Sequence, residues 1–434
     1  MIADIQTGEL GQVELRELQL RRLKEQVWRV YSSVPFYREA FSKRGMAPED
    51  IKSLDDLCRL PFTSKLDFRD NYPYGLLAVP LTEVVRLHAS SGTTGKQIVA
   101  AYTSHDIDVW SDIISEGLAM SGVRRGDIVQ NAQGYGLFTG GLGFHYGVEK
   151  LGATIIPAAT GNTRRQLTLL QDLGTTVFLC TPSYALILIE TAREMGIDFK
   201  KTALRLVLSG AEPWSEQMRN DIERGMGVPA LDNYGLTEVM GPGVSFECPY
   251  QDGLHIAEEH FLAEIIDPWT GETLPYGQRG ELVITTLTKE AYPVIRFRTR
   301  DITSLDPEPC RCGRIYLRMA RVTGRSDDML VVKGVNVFPS QIEAALLEIE
   351  GVLPHYQIVV ERQHAFSYRD IEIWVEVDER VFSDEMEKMA GLADEIKMNL
   401  ESLLGISARV KLVEPMTLAR SDGKSRRVID RSEL

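Results

Sequence analysis

Within seven residues, Ser90-Ser91-Gly92-Thr93-Thr94-Gly95-Lys96 offers hydroxyls, backbone N–H groups freed by glycine, and one ammonium. All three are ligands for phosphate. Glycine admits positive φ and close approach to a ligand, and successive N–H groups in such a turn form an anion-binding concavity. The Walker pattern G-x-x-x-x-G-K-[ST] does not fit, because only two residues separate Gly92 from Gly95 and Gln97 follows the lysine. A Ser/Gly/Thr hairpin turn without a ligand is the competing reading. A second constellation is Cys248, Cys310 and Cys312, in loops where Pro, Arg and Gly flank them, together with His255. Three thiolates and one imidazole close a tetrahedral zinc site with no open position, which is structural by type. The Cys310-Arg311-Cys312 spacing is shorter than the usual ligand spacing, and free loop cysteines are the alternative. Cys58 and Cys180 lie among apolar residues and are expected to be buried and inert.

These residues need elements to hold them. The flanks Val84–Leu87 and Gln97–Tyr102 are short and partly β-branched, so the phosphate-type loop is expected between two strands. Upstream, residues 9–31 carry an amphipathic helical pattern and a second short helix follows Pro35, while residues 60–75 read as irregular. Thr103 with Asp106 marks a helix start, and its apolar face continues to Gly122. Strands near 127–130, 154–157, 176–180 and 204–208 alternate with helices, which predicts a mostly parallel sheet covered by helices. Ligands of such sheets bind beyond the carboxyl ends of the strands, here residues 133–141, 181–182, 209–213 and 232–238. Beyond Gly241 short antiparallel strands take over. The last hundred or so residues read as a separate α+β unit.

The chain has 434 residues, too many for one ordinary core. A hydrophobic content of 44% and a charged content of 25% are those of a globular protein. A net charge of −14 argues against nucleic-acid or membrane-surface partners. No apolar run reaches the roughly 18 residues of a membrane helix, and Met1-Ile2-Ala3-Asp4 lacks the start of a signal peptide. A cytoplasmic location is expected.

Seven motifs in order carry a resemblance: Leu60–Lys65, Ser90–Lys96, Gly134–Gly141, Asn233-Tyr234-Gly235-Leu236-Thr237-Glu238, Arg296–Asp301, Gly324–Asp328 and Gly423-Lys424. The chain resembles the adenylate-forming superfamily of acyl-CoA synthetases, and within it the phenylacetate–CoA ligase family. The resemblance implies a large α/β N-terminal domain, residues 1–325, and a small mobile α+β C-terminal domain, residues 326–434. It also implies a two-step reaction. A carboxylate attacks the α-phosphorus of ATP to give an acyl-adenylate, and coenzyme A then displaces AMP.

Under that resemblance the Ser90–Lys96 loop holds the β,γ-phosphates, with Lys65 as a further phosphate contact. Thr237 bonds the α-phosphate and Glu238 ligates Mg²⁺. An exposed loop carboxylate is the plainer reading of Glu238. Tyr234 stacks on adenine, Gly210-Ala211-Glu212-Pro213 line the other side of the base, and Asp232, Asn233 and Gly235 adjoin it. Asp301 accepts the ribose hydroxyls. For its neighbours Arg296, Arg298 and Arg300 a surface ion-pair cluster is the rival reading. Lys424 stabilises charge developing in adenylation, although Leu418-Ala419-Arg420 stands where the family motif begins with proline. Tyr135, Phe138, Gly140 and Gly141 form an aromatic wall suited to an arylacetate. Asp327 matches a hinge, with Arg325 beside it, and Lys333-Gly334 faces the thioester site after rotation.

The expected partners are a small carboxylate, ATP with Mg²⁺, and coenzyme A, besides structural Zn²⁺. A homodimer is left open. Two other readings remain at this stage: adenylation with a non-CoA acceptor such as a deazaflavin cofactor, and an inactive nucleotide-binding regulator.

Overall fold

Helix α1 (Gln12–Ser33) opens at Gly11, whose N–H donates to Glu14 Oε2 at 2.9 Å. Its buried face carries Leu15, Leu23, Val27 and Val30, and Gln19, Arg22 and Gln26 donate to the carbonyls of Glu258, Glu259 and Lys289. Pro35 starts α2 (Pro35–Lys43). The stretch expected to be irregular contains α3 (Lys65–Asp70), because Ser64 N and Oγ both donate to Asp67 Oδ2 at 2.7 Å and nucleate a turn. The computed structural model describes residues 11–90, 97–326, 330–332, 335–337, 339–364, 367–378, 386–404, 407–418 and 427–431.

Strands β1 (Arg86–Ala89) and β2 (Val99–Tyr102) pair antiparallel, with Ala89 opposite Val99, as the flanks predicted. Helix α4 (Ser104–Met120) is capped reciprocally by Thr103 and Asp106 at 3.0 Å. The chain then alternates through β3 (Ile128–Asn131), α5 (Thr139–Leu151), β4 (Thr154–Ile156), α6 (Thr163–Asp172), β5 (Val177–Cys180), α7 (Pro182–Glu194), β6 (Leu206–Gly210), α8 (Glu216–Met226) and β7 (Ala230–Leu236). It continues through β8 (Gly241–Glu247), β9 (Leu254–Ile256), β10 (Phe261–Ile266), β11 (Gly280–Thr286), β12 (Phe297–Thr303), β13 (Leu305–Asp306) and β14 (Arg318–Met319).

Nine of these strands form one sheet in the order β13-β14-β9-β8-β7-β6-β5-β3-β4. The links joining β4, β3, β5, β6 and β7 are parallel, and those from β7 onward are antiparallel. Every residue of β5 and β6 is buried, as expected for parallel strands covered on both faces. Strand β11 lies between β10 and β12 in an antiparallel arrangement.

Two compact units are present. One holds the chain up to Cys180 with Asp198–Ala211 and Val228–Arg321; the other holds Thr181–Ile197, Glu212–Gly227 and the chain from Val322. The second adds β15 (Gly324–Arg325), β16 (Leu330–Val332), β17 (Val335–Val337), α9 (Pro339–Leu347), β18 (Val352–His364), β19 (Ser367–Val377), α10 (Met386–Leu404), β20 (Arg409–Val413) and β21 (Val428–Asp430) to α7 and α8. Its sheet runs β17-β16-β19-β18-β21, with β20 on β19. Ile342, Leu346, Ile358, Ile373, Val375, Ile396 and Leu400 form its core, the α+β layout read from the sequence.

Candidate nucleotide, acid and metal sites

Strand β7 delivers Asp232, Asn233, Tyr234 and Gly235 to the carboxyl end of the parallel strands. Asn233 Nδ2 donates to Ser209 O at 2.7 Å, locking β7 to β6. Gly210 is required there, since a Cβ would fall 2.3 Å from Asn233 O. Ala211 then takes φ 71° and is exposed. Glu212 Oε1 accepts from Ser183 N at 2.7 Å at the start of α7, and Pro213 is exposed beyond it. Tyr234 Oη donates to Asp301 Oδ2 at 2.5 Å, so the residues expected at adenine and at ribose touch. Asp232 N donates to the buried Glu247 Oε2 at 2.9 Å, and Arg321 Nε lies 3.5 Å from Asp232 Oδ2.

The turn from β7 to β8 holds Thr237 and Glu238. It is tight because a Cβ on Gly235 would meet Gly241 O at 2.1 Å. Thr237 Oγ1 lies 3.4 Å from Thr139 Oγ1 at the head of α5. Glu238 is 5% exposed, which removes the exposed-loop reading, and its Oε1 is 3.4 Å from Lys65 Nζ. A carboxylate oxygen is a hard ligand of the kind that Mg²⁺ takes beside phosphate.

Ser90 closes the neck of the phosphate-type loop: its N–H donates to Ile98 O at 2.9 Å and its Oγ accepts from Ile98 N at 3.2 Å. Ser91, Gly92, Thr93, Thr94, Gly95 and Lys96 lie outside the described residues, as do Asp327, Lys333, Gly334 and Lys424. Arg325 is half-buried in β15.

At the aromatic wall, Tyr135 Oη lies 3.1 Å from Asn131 Nδ2, which donates to it, and 3.3 Å from His145 Nδ1. Burial pushes the Tyr135 phenol up to about 12, so it stays neutral. Phe138 caps α5 and is 49% exposed. Gly141 N donates to Gly134 O at 3.0 Å, folding the glycine loop on itself, and Gly140 packs against Gln133.

Two expectations change. Arg296 does not belong to a surface cluster: it is 2% exposed, and its fork meets Glu264 at 2.9 and 3.0 Å while Nη1 donates to Cys58 O and Leu60 O. Arg298 meets Glu281 in the same two-pronged way, and Arg300 lies 3.4 Å from it. These arginines tie β10, β11 and β12 together by buried ion pairs, a structural task. Cys58 is exposed rather than buried, because the short helical turn at Leu54–Arg59 directs its thiol to Asp55 O. Cys180 is buried as expected.

The ligand atoms of Cys248, His255, Cys310 and Cys312 all lie within 4.8 Å of one another. Cys248 Sγ and Cys310 Sγ are 3.8 Å apart, and Cys312 Sγ is 3.5 Å from His255 Nε2. A zinc tetrahedron with normal bond lengths has S···S edges of about 3.8 Å and S···N edges of about 3.5 Å. Burial, with Arg314 and Arg318 nearby, pushes the His255 imidazole down to about 4, so its lone pair is available at neutral pH. The four side chains fit a zinc ion.

The AMP-binding enzyme family model matches residues 77–288, and the AMP-binding enzyme C-terminal domain model matches 334–432. A phenylacetate-coenzyme A ligase of Aromatoleum evansii is 49% identical over 97% of this chain and 95% of its own length. That of Escherichia coli strain K12 is 47% identical over 96% and 95%. This chain belongs to the phenylacetate–CoA ligase family. A crystal structure of 2-hydroxyisobutyryl-CoA ligase in complex with R3-HIB-AMP, 29% identical, superposes with a TM-score of 0.91 over 98% of this chain and 91% of that one.

In this member of the phenylacetate–CoA ligase family several supporting residues escape a motif reading. Asn131 holds both the Tyr135 hydroxyl and Gly141 O, the latter at 2.9 Å. Trp110 packs against Gly143 of α5 and Gly241 at the start of β8, where a Cβ on either glycine would approach it to 2.4 Å. Glu247 and Arg321 hold Asp232. Only Asn131, four residues before Tyr135, had a local signal.

Proposed function

We propose that this chain is an ATP- and Mg²⁺-dependent ligase that activates an aryl carboxylate, phenylacetate in the first instance, and transfers the acyl group to coenzyme A. The observation that carries the reading is the meeting of Tyr234, Asp301, Thr237, Glu238 and Lys65 around one strand end. The family relatives named above are phenylacetate-coenzyme A ligases, which weighs against both the deazaflavin and the inactive-regulator readings.

In this mechanism Tyr234 and Gly210–Pro213 enclose adenine, with Asp232 and Asn233 beside it, and Asp301 accepts the ribose hydroxyls. Thr237 and the Ser90–Lys96 loop hold the phosphates. Glu238 would hold Mg²⁺, which would offset charge on the triphosphate. Lys65, 3.4 Å from that carboxylate, adds a further phosphate contact. Lys424 stabilises the charge that develops as the acid attacks. The acid ring packs on Tyr135 and Phe138 beside Gly140 and Gly141. Residues 326–434 then turn about Asp327, bringing Lys333-Gly334 to the thioester site and removing Lys424 from the path of the thiol.

A structural zinc on Cys248, His255, Cys310 and Cys312 completes the proposal. Among the described residues no helix is long and apolar enough to cross a membrane, and we place the enzyme in the cytoplasm.

The test is pyrophosphate release from ATP and Mg²⁺ over aryl and aliphatic acids, with and without coenzyme A. Release is expected with phenylacetate, with coenzyme A consumed in equal amount. Strong preference for long-chain fatty acids overturns the aryl assignment, and release without thiol consumption overturns the acceptor.

A further inference from the structure

The metal cluster and the nucleotide site share one residue's supports. Asp232, on β7, is held from two directions, and each support leads to one arm of the cluster. On the first arm, Asp232 N donates to Glu247 Oε2 at 2.9 Å, and Glu247 is the residue before Cys248. Glu247 is 2% exposed and Asp232 6%, so the bond is screened little by water. On the second arm, the Cys310–Cys312 turn leads into β14, where Arg318 pairs opposite His255 and Met319 opposite Leu254. Two residues past β14, Arg321 Nε reaches Asp232 Oδ2 at 3.5 Å. Met319 Sδ also accepts from Ser245 Oγ on β8 at 3.1 Å.

The cluster therefore clamps the β8–β9 hairpin to the excursion that carries Arg321. Apart from the metal, the same segments are joined by the two-residue β14–β9 ladder, by Ile256 N donating to Leu317 O at 2.9 Å, and by Arg318 pairing with Asp252 and Asp306, carboxylates that are 57% and 49% exposed. Ion pairs to exposed carboxylates are weak constraints, whereas four metal bonds fix both arms in one geometry.

We propose that the Cys248–His255–Cys310–Cys312 metal centre sets the affinity of the nucleotide site, by fixing Glu247 and Arg321 on the backbone and side chain of Asp232. The proposal rests on the zinc and nucleotide assignments made above. Loss of the metal loosens both supports together, and ATP binding weakens before the fold is lost.

The experiment uses the full chain. Zinc is measured by elemental analysis and ATP binding by calorimetry, for the intact protein, for Cys310→Ser/Cys312→Ser, and for Arg321→Gln and Glu247→Gln. One zinc per intact chain is expected. The double cysteine variant should lose zinc and bind ATP about tenfold more weakly, the order of one charge-assisted contact. Arg321→Gln, which removes the cation, should keep zinc and show the same weakening, and Glu247→Gln, which keeps an acceptor for Asp232 N but loses its charge, should keep zinc and weaken binding less. If the double variant does not fold, these two decide: unchanged ATP affinity in both overturns the coupling. An intact protein that neither contains nor takes up zinc overturns the metal assignment, and one that does not bind ATP overturns the nucleotide assignment. Zinc-free folded protein with unaltered ATP affinity overturns the coupling alone.

Discussion

Tyr234 Oη and Asp301 Oδ2 are 2.5 Å apart, a hydroxyl-to-carboxylate bond joining β7 to β12. A bond this short is of the charge-assisted kind. With the ring of Tyr234 proposed at adenine and Asp301 at ribose, the phenol would aim the carboxylate proposed to read the sugar. Tyr234→Phe keeps the ring and removes the donor. The ATP KM should rise about tenfold with a smaller change in kcat, and the preference for ATP over 2′-deoxy-ATP should shrink. Unaltered discrimination between the two nucleotides would show that the hydroxyl does not act through Asp301.

Lys65 gives a second test. Its Nζ lies 3.4 Å from a carboxylate that is 4% exposed, while the lysine itself is 32% exposed. Lys65→Met leaves Glu238 without that cation. In magnesium-free buffer the variant should be destabilised by about 1 kcal/mol, the modest worth of a partly exposed pair. Magnesium with ATP should restore the loss. Melting curves with and without Mg²⁺ measure this, and equal destabilisation under both conditions contradicts it.

Lys289 makes stability depend on pH. It is 1% exposed, its Nζ is 3.1 Å from the centroid of the Tyr102 ring, and Met240 Sδ is 3.7 Å away. Burial pushes the ammonium down to about 7 from its ordinary 10.5, with Asp106 opposing. Below pH 7 both folded and unfolded chains hold the proton, and the cost of burying the charge is present in full. Between about 7 and 10.5 only the unfolded chain holds it, so this group makes stability rise with pH. Lys289→Met should be more stable than the parent at pH 6.5, with the advantage shrinking by pH 9.5 in urea titrations. A constant difference across that range rules out the titration.

The two chemical steps should separate by mutation. Lys424→Ala is expected to cut adenylation by a factor on the order of a hundred or more, as for a lost electrostatic group at the reacting centre. Thioester formation from supplied acyl-adenylate should be spared. Asp327→Pro fixes φ and should block transfer to coenzyme A while leaving pyrophosphate release measurable. A folded proline variant that loses both steps equally removes Asp327 from the hinge.

Local chemistry made much of this protein legible before folding was considered. Thr103 and Asp106 announce α4 because a capping box is complete within four residues. The β-α alternation of residues 127–236 announces a parallel sheet because hydrophobic period and turn chemistry are properties of short segments. The Cys and His set was visible because so few residue types bind zinc. The family followed from motifs whose glycines are dictated by close approach, as at Gly210 and Gly235. Partners were another matter. Lys65 meets Glu238, Arg296 meets Glu264, and Arg321 and Glu247 meet Asp232 only after strand order and register are settled. Burial likewise turned Arg296 from a surface charge into a core bond and left Cys58 in solvent, although both lie in ordinary-looking sequence. Side-chain type and spacing determine which chemistry is available. Which buried charge faces which is decided by the long-range pairing of β-strands, because no local interaction specifies a contact between segments far apart in the chain.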